Sequence, residues 1–299
     1  MSKKILIISG PTASGKSSLA IHLADLHDIA IINADSLQIY SGLPILSSQP
    51  TSEEQKKVKH FLYSYLQPQE NSSVAEWLKL VKSTVEKVWA EKKLPVIVGG
   101  SGMYISKLVE GISEIPQIEK ELRDEVKTLY EKIGHEEFQK KLIDLGEEKI
   151  LDKHRLIRAY EVLLKTGKSI SYWQSQPPKK LFADEVFTHV NLNPDREKLY
   201  ENCNLRFEQM LESGAIEEVQ ALMDQGISDE KQITKTLGYY EICDFLLERI
   251  SREEMIKTAT QKTRNYAKRQ LTWFRHQLPG KRVFEDINSA LTFLQNHEI

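Results

Sequence analysis

The sequence predicts an α/β fold: a P-loop core built on a parallel sheet, plus an inserted all-helical module. Three observations carry this reading. Short continuous apolar runs alternate with helix-period stretches through the first hundred residues, which is the pattern of parallel strands joined by right-handed crossovers. A glycine-bearing phosphate-loop pattern stands between the first run and the first helix. From residue 117 to 184 the periodicity turns wholly helical.

The elements follow in order. Residues 4–9 read as a buried strand, because Ile5, Leu6, Ile7 and Ile8 are continuous and apolar. Residues 10–15 form a loop, and 17–26 a helix with Leu19, Ala20, Leu23 and Ala24 on one side. Residues 29–34 and 94–98 are further strands. Between them, Val74, Leu78, Val81, Val85 and Val88 recur at three- and four-residue steps and mark a helix over Val74–Ala90. In the helical module Leu122, Val126, Leu129 and Ile133 form one stripe, and Leu156, Tyr160, Leu163 and Leu164 another. Gln176-Pro177-Pro178-Lys179-Lys180 closes the module as a linker. Phe187–Leu192 resumes the sheet. Helices are expected at 196–210, 215–223, 238–247 and 252–274, then a short strand at Arg282–Phe284 and a last helix at Ile287–Asn296. Residues 1–116 and 185–299 therefore make the core, and 117–184 the insertion.

Composition sets limits. With 299 residues, 40% apolar and 28% charged, the chain can bury a sizeable core, which excludes disordered and fibrous classes. A net charge of −2 gives no global argument for nucleic acid, so a local basic patch must carry one. Two cysteines, Cys203 and Cys243, make no disulfide framework and no CxxC zinc pair; they read as small buried groups in a reduced, cytoplasmic protein. The first apolar stretch is too short for a signal peptide or a membrane span, and no run of eighteen apolar residues follows. Trp77, Trp89 and Trp173 read as packing residues. No exposed apolar stripe argues against a monomer.

Gly10-Pro11-Thr12-Ala13-Ser14-Gly15-Lys16-Ser17 fits G-x-x-x-x-G-K-[ST] between a strand and a helix. Its backbone N–H groups and the helix N-terminus suit a polyphosphate, Lys16 adds a full charge, and Ser17 offers a hydroxyl to Mg²⁺. Most such nucleotide-binding, ATP-binding loops work with a carboxylate after an apolar strand. Here the 94–98 strand runs into Gly99-Gly100-Ser101-Gly102, and the carboxylate follows the 29–34 strand instead, as Asp35. Strand ends of a parallel sheet face one crevice, which brings Asp35 to the phosphate loop as a Mg²⁺ partner or a general base; a helix N-cap is the plain alternative.

Near the C-terminus Lys257, Lys262, Arg264, Lys268, Arg269, Arg275, Lys281 and Arg282 occur with no Asp or Glu between Met255 and Phe284. Lys257, Arg264, Lys268 and Arg275 share a helix face opposite Ile256, Ala259, Thr263, Ala267, Leu271 and Phe274. Phosphate-backbone contact and a merely solvated basic face are equally open. Tyr266, Trp273 and Phe274 suit base stacking or, more simply, the core.

GPTASGKS, ADSLQIYSGL, PVIVGGSGMYISKLVEG, RLIRAYEVLLKTGKS, TLGYYE and AKRQLTWFR resemble, in content and order, the tRNA dimethylallyltransferases, over residues 10 to 275. The resemblance implies a P-loop core with a helical insertion that grips the tRNA anticodon stem-loop. It implies transfer of a dimethylallyl group from dimethylallyl diphosphate to the N6 amine of the adenine at tRNA position 37, with Mg²⁺ as the only cofactor. On that basis Gly10 to Ser17 hold the donor's diphosphate in place of ATP, and Asp35 is the base. Ser36, Leu37 and Gln38 line the adenine pocket. Ser101, where the family commonly has Thr, assists at the leaving oxygen, and Arg206 clamps the diphosphate. Arg123 and the run His154, Arg155, Leu156, Ile157 and Arg158 touch RNA from the insertion. Thr234, Lys235, Thr236, Leu237, Gly238, Tyr239, Tyr240 and Glu241 contact it again.

Departures from the family pattern are Met103 for Leu, Ser17 and Ser101 for Thr, an irregular segment from Leu43 to Pro50, and Lys59-His60 in place of paired histidines. No role is carried to the last two. Three rival readings remain. An adenylate isopentenyltransferase needs neither the inserted helices nor a basic helix. A small-molecule P-loop kinase needs the carboxylate that is absent after Val98. A non-catalytic RNA binder leaves Asp35 beside an intact loop unexplained.

Overall fold

A computed structural model describes residues 3–297, the side chain of residue 185 aside. The chain forms two compact units: residues up to Val109 together with those from Leu181 onward, and Glu110–Lys180.

The larger unit is built on strands β1 (Ile5–Ser9), β2 (Ile29–Asn33), β3 (Lys59–Phe61), β4 (Leu94–Gly99), β5 (Phe187–Leu192) and β6 (Arg282–Phe284), in spatial order β3-β2-β4-β1-β5-β6. Every pairing is parallel. All residues of β1 and β2 are buried, which is why they read as unbroken apolar runs instead of alternating ones. After β4 the chain moves to the other side of β1, so the carboxyl end of β1 lies at the switch point where such sheets open a crevice. The register pairs Ser9 with Gly99 and with Asn191, and Asn33 with Val98, which brings the loops after β1, β2, β4 and β5 to one level.

Helices α1 (Lys16–Leu23), α2 (Ser52–Lys57), α3 (Val74–Ala90) and α4 (Gly102–Glu110) come first. α3 starts at a capping box of Ser73 and Glu76, buries Trp77, Leu78, Val81, Val85 and Val88, and packs on β2 and β4. Three elements are absent from the sequence reading. SEEQKK of α2 carries no apolar residue, and a Thr51–Glu54 capping box makes the helix instead. β3 has only three residues, and α4 begins directly beyond the glycine loop.

The Glu110–Lys180 unit holds α5 (Lys120–Asp144), α6 (Lys153–Thr166) and α7 (Ile170–Ser175). Gly134, with φ 76° and ψ 175°, splits α5 into two helical pieces. Val126, Phe138, Leu142, Leu156, Ala159 and Tyr160 form its core, with Leu122, Leu129, Ile133 and Leu163 packed around them; Leu164 is exposed. This unit begins and ends earlier than helical periodicity suggests. The backbones of Ile112 and Lys179 exchange hydrogen bonds (3.2 and 3.0 Å), so extended chain on both sides closes its neck.

Five helices complete the larger unit: α8 (Arg196–Glu212), α9 (Ala215–Asp224), α10 (Tyr239–Leu246), α11 (Arg252–His276) and α12 (Ile287–Asn296). α1 and α12 cover one sheet face over Leu6, Ile8, Ile31, Val96, Val98, Val190 and Leu192. A second core joins the segment after β2 to α8, α9, α10 and α11 through Tyr40, Leu46, Phe207, Val219, Tyr239 and Met255. Cys203 is buried and Cys243 half-buried, both as free thiols. Trp77 is fully buried, and its indole N–H reaches the Asn33 carbonyl at 2.9 Å. Among the described residues no helix is long and apolar enough to cross a membrane.

Candidate active site

Gly10 to Ser17 join β1 to α1. Ala13 (φ 61°) and Gly15 (φ 90°) are left-handed, which turns successive N–H groups toward one point and aims them with the N-terminus of α1. Lys16 Nζ donates to the Pro11 carbonyl across the loop at 2.5 Å. Burial lowers the Lys16 ammonium to about 7; the neighbouring Arg206 adds to this and Asp35 opposes it. Ser14 Oγ is buried without a hydrogen-bond partner, and so is Ser48 Oγ on the facing loop. Orphaned hydroxyls beside a nest of amides suit a ligand rich in acceptor oxygens. Below the loop, Asn191 Nδ2 donates to Ser9 Oγ at 2.8 Å, and Ser9 Oγ lies 2.7 Å from His189 Nε2.

The turn after β2 is held from behind. Asn33 Oδ1 accepts the Asp35 amide at 2.8 Å, and Asn33 Nδ2 donates to the carbonyls of Asp35 and Leu62, both at 3.0 Å. Asp35 Oδ1 accepts the Leu37 amide at 2.9 Å. Residues 36–40 form turns, so Asp35 caps no helix and its second carboxylate oxygen has no role in the turn. Ser101, between β4 and α4, accepts the Ser36 amide on Oγ at 3.0 Å. Gln38 Nε2 holds the carbonyls of Ser47 and Ser48, both at 2.9 Å. Glu218 of α9 takes the amides of Ile45 and Leu46 (2.8 and 3.0 Å), so the irregular segment after Tyr40 is a fixed loop.

Two helices close the site. From α8, Arg206 donates to Thr12 Oγ1, and Asn202 Nδ2 reaches the Ala13 carbonyl at 3.3 Å. From α11, Gln270 Oε1 accepts the Thr12 amide at 2.8 Å and Nε2 donates to the Gly100 carbonyl at 2.9 Å. An inner cavity of about 110 Å³ brings together Thr12, Lys16, Ser17, Asp35, Leu37, Gln38, Arg206, Thr236 and Leu237. Its wall toward Leu46, Phe207 and Met210 is apolar. A wider cleft of about 820 Å³ reaches the same Lys16 and Ser17 past Pro44 and Pro50. An outer cavity of about 330 Å³ is lined by Ser36, Ser101, Met103, Tyr104, Tyr266 and Trp273. Tyr266 and Gln270 line both inner and outer cavities. One cationic end, one carboxylate and one apolar wall can hold a diphosphate ester, stabilise negative charge as it leaves, and accept a proton.

The remaining sequence candidates divide by exposure. Thr234, Thr236, Tyr239 and Glu241 are buried, while Lys235 and Tyr240 are exposed. Glu241 pairs with Lys262. On α11, Lys257, Lys268, Arg269 and Arg275 are exposed, and Arg264 is engaged with Asn204 at 2.6 Å. Phe274 is core; Tyr266 and Trp273 are half-buried at the cavities. In the smaller unit Arg123, His154 and Arg155 are exposed on α5 and α6. Arg158 pairs with Glu161 at 3.0 Å, Ile157 is half-buried, and Leu156 is wholly buried, so its side chain packs the unit's core.

Comparison with known proteins bears on this geometry. The IPP transferase family profile matches residues 38–277. A tRNA dimethylallyltransferase of Rickettsia bellii is 40% identical over 298 residues, 98% of this chain and 94% of that protein. This chain belongs to the IPP transferase family. The full-length tRNA isopentenylpyrophosphate transferase of Bacillus halodurans superposes with a TM-score of 0.70 at 29% identity, over 99% of this chain and 95% of that one. A eukaryotic dimethylallyltransferase acting on tRNA gives 0.79 at 25% identity, over 91% and 70%. The family resemblance and the α/β class expected from sequence are both borne out. As a member of the family the chain is a transferase that modifies tRNA, and the kinase, free-nucleotide and non-catalytic readings fall away.

Proposed function

We propose that the chain transfers the dimethylallyl group of dimethylallyl diphosphate to the exocyclic N6 of the adenine at tRNA position 37, next to the anticodon. The observation that carries this is the inner cavity, whose lining brings Lys16, Ser17 and Arg206 together with Asp35. The diphosphate lies on Gly10 to Ser17 with Lys16 and Arg206 neutralising it. The bond from C1 of the prenyl group to the bridging oxygen breaks, N6 bonds to C1, and the N6 proton passes to Asp35. Ser101 donates to the bridging oxygen as negative charge grows there. An adenine amine is a weak nucleophile, and a positioned base contributes about a hundred- to ten-thousand-fold. The base must leave its stack to reach C1, and Ser36, Leu37 and Gln38 line its way in.

The Ser17 hydroxyl and the diphosphate's own oxygens, all hard donors, fit a divalent cation such as Mg²⁺, which leaves the Asp35 carboxylate free as the base. When bound it neutralises diphosphate charge. Arg123 and His154 to Arg158 belong to the helical unit that takes the anticodon stem-loop, with Arg155 on phosphate and Leu156 supporting the helix from within. Lys235 and Tyr240 are the exposed members of the 234–241 segment for RNA contact, and the buried ones hold it in place. Lys257, Lys268 and Arg275 add phosphate contacts. On this reading the chain is a monomer that acts in the cytoplasm, where a tRNA substrate is available.

The test uses Mg²⁺, dimethylallyl diphosphate labelled in the prenyl group, and either unmodified tRNA or AMP. Label entering tRNA at the adenine beside the anticodon is the expected result. Label entering AMP alone contradicts the proposal.

A further inference from the structure

Gln270 is a polar residue on the buried side of α11, 7% exposed among Ala267, Leu271 and Phe274. Both ends of its amide are engaged. Oε1 takes the Thr12 N–H at 2.8 Å, and Nε2 gives a proton to the Gly100 carbonyl at 2.9 Å. Thr12 is held a second time, through Oγ1, by Arg206. The two glycines flanking Ser101 are pressed against the same helix. A Cβ on Gly100 would lie 2.6 Å from Gln270 Nε2, and one on Gly102 would lie 2.4 Å from the Trp273 ring. Ser101 therefore rides on a loop whose depth α11 sets, and one side-chain amide ties that loop to the phosphate loop.

We infer that Gln270 is a positioning residue that fixes the distance between the diphosphate cradle and the Ser101 hydroxyl. This rests on the reaction proposed above. Among the described residues no side chain of one loop hydrogen-bonds to the other; the Gln270 amide spans them. Its removal frees the part-buried Thr12 amide and the buried Gly100 carbonyl and lets the loops drift apart, while the exposed residues of α11 stay where they are. A displacement of about 1 Å at reacting groups costs on the order of a hundredfold in rate.

Gln270→Met keeps the volume and removes both hydrogen bonds. Gly100→Ala crowds the same amide from the other end, with its Cβ 2.6 Å from Nε2 and 3.2 Å from the Gly10 carbonyl oxygen, and serves should the first variant fold poorly. For both, the expected result is a fall in kcat of about 10- to 100-fold, with KM for tRNA and for dimethylallyl diphosphate within about twofold of wild type. The double variant should lose less than the product of the two single losses, because both act on one link. An unchanged kcat overturns the inference, and so does a loss that appears only as a raised KM for tRNA. A wild-type protein that transfers no label to tRNA is a separate outcome: it overturns the reaction itself, and this role with it.

Discussion

The Ser36 amide donates to Ser101 Oγ at 3.0 Å across 65 residues of sequence. That bond occupies a lone pair of the hydroxyl and leaves its proton loosely engaged, with Ser36 Oγ at 3.4 Å. The hydroxyl is thus oriented as a donor, which suits protonic assistance to a leaving oxygen. Ser101→Ala should lower kcat by about a hundredfold at saturating substrates, the usual cost of losing one donor to developing negative charge. Ser101→Thr should keep most of it. Steady-state kinetics of the two variants decides; an active Ser101→Ala removes the role.

Arg206 and Thr12 form the second relationship that matters. A guanidinium can hold Thr12 Oγ1 and still offer further N–H groups to a diphosphate, which a lysine cannot. Arg206→Lys should raise KM for dimethylallyl diphosphate by about tenfold or more and leave KM for tRNA unchanged. Equal effects on both substrates would mean that the arginine only supports the fold.

Lys16 links binding to pH. Its ammonium, lowered to about 7 by burial with help from Arg206, regains its full charge beside a diphosphate. The pKa is therefore lower in the free protein than in the complex. Affinity is full below about pH 7 and declines as pH rises from there toward the bound-state value. Calorimetry of pyrophosphate with Mg²⁺ at pH 8, in two buffers of different ionisation heat, measures the protons taken up. Wild type should take up close to one proton more than Lys16→Arg, whose side chain never deprotonates. No difference would place the Lys16 charge elsewhere.

The smaller unit should carry RNA affinity and no chemistry. Arg155 is exposed beside Asp152, whose carboxylate caps α6 by accepting the Arg155 amide at 2.9 Å. Arg155→Ala should leave the helix intact, weaken tRNA binding, and reduce the salt slope of that binding by about one. Pyrophosphate affinity should not move. Filter binding over a salt series checks the first two expectations, and calorimetry the third.

Much of the larger unit was legible in the chain. β1, β2 and β4 announce themselves as apolar runs because both sheet faces are covered; α3 falls on the residues its periodicity assigns, and α12 on the bounds expected for it. What was not legible has local causes. α2 holds no apolar residue, and its box of Thr51 and Glu54 is a capping signal without a stripe behind it. Gln270 lies on the helix side where Ala267, Leu271 and Phe274 point inward, and its polarity there was the available signal. Its partners lie 258 and 170 residues away, where no spacing rule reaches. Glu218 is similar: a carboxylate in an ordinary amphipathic helix, caught by two amides of a loop far upstream. Residue type and adjacency likewise do not separate buried Thr234 and Thr236 from exposed Lys235.

The central claim is that Asp35 accepts the N6 proton on a site already able to hold both substrates. Asp35→Ala tests it most directly, with three readouts on one preparation: label transfer to tRNA, tRNA binding and pyrophosphate binding. The account predicts transfer reduced by at least about a hundredfold with both affinities kept within a few-fold. Transfer at near wild-type rate would contradict it, because the proton would then have another acceptor.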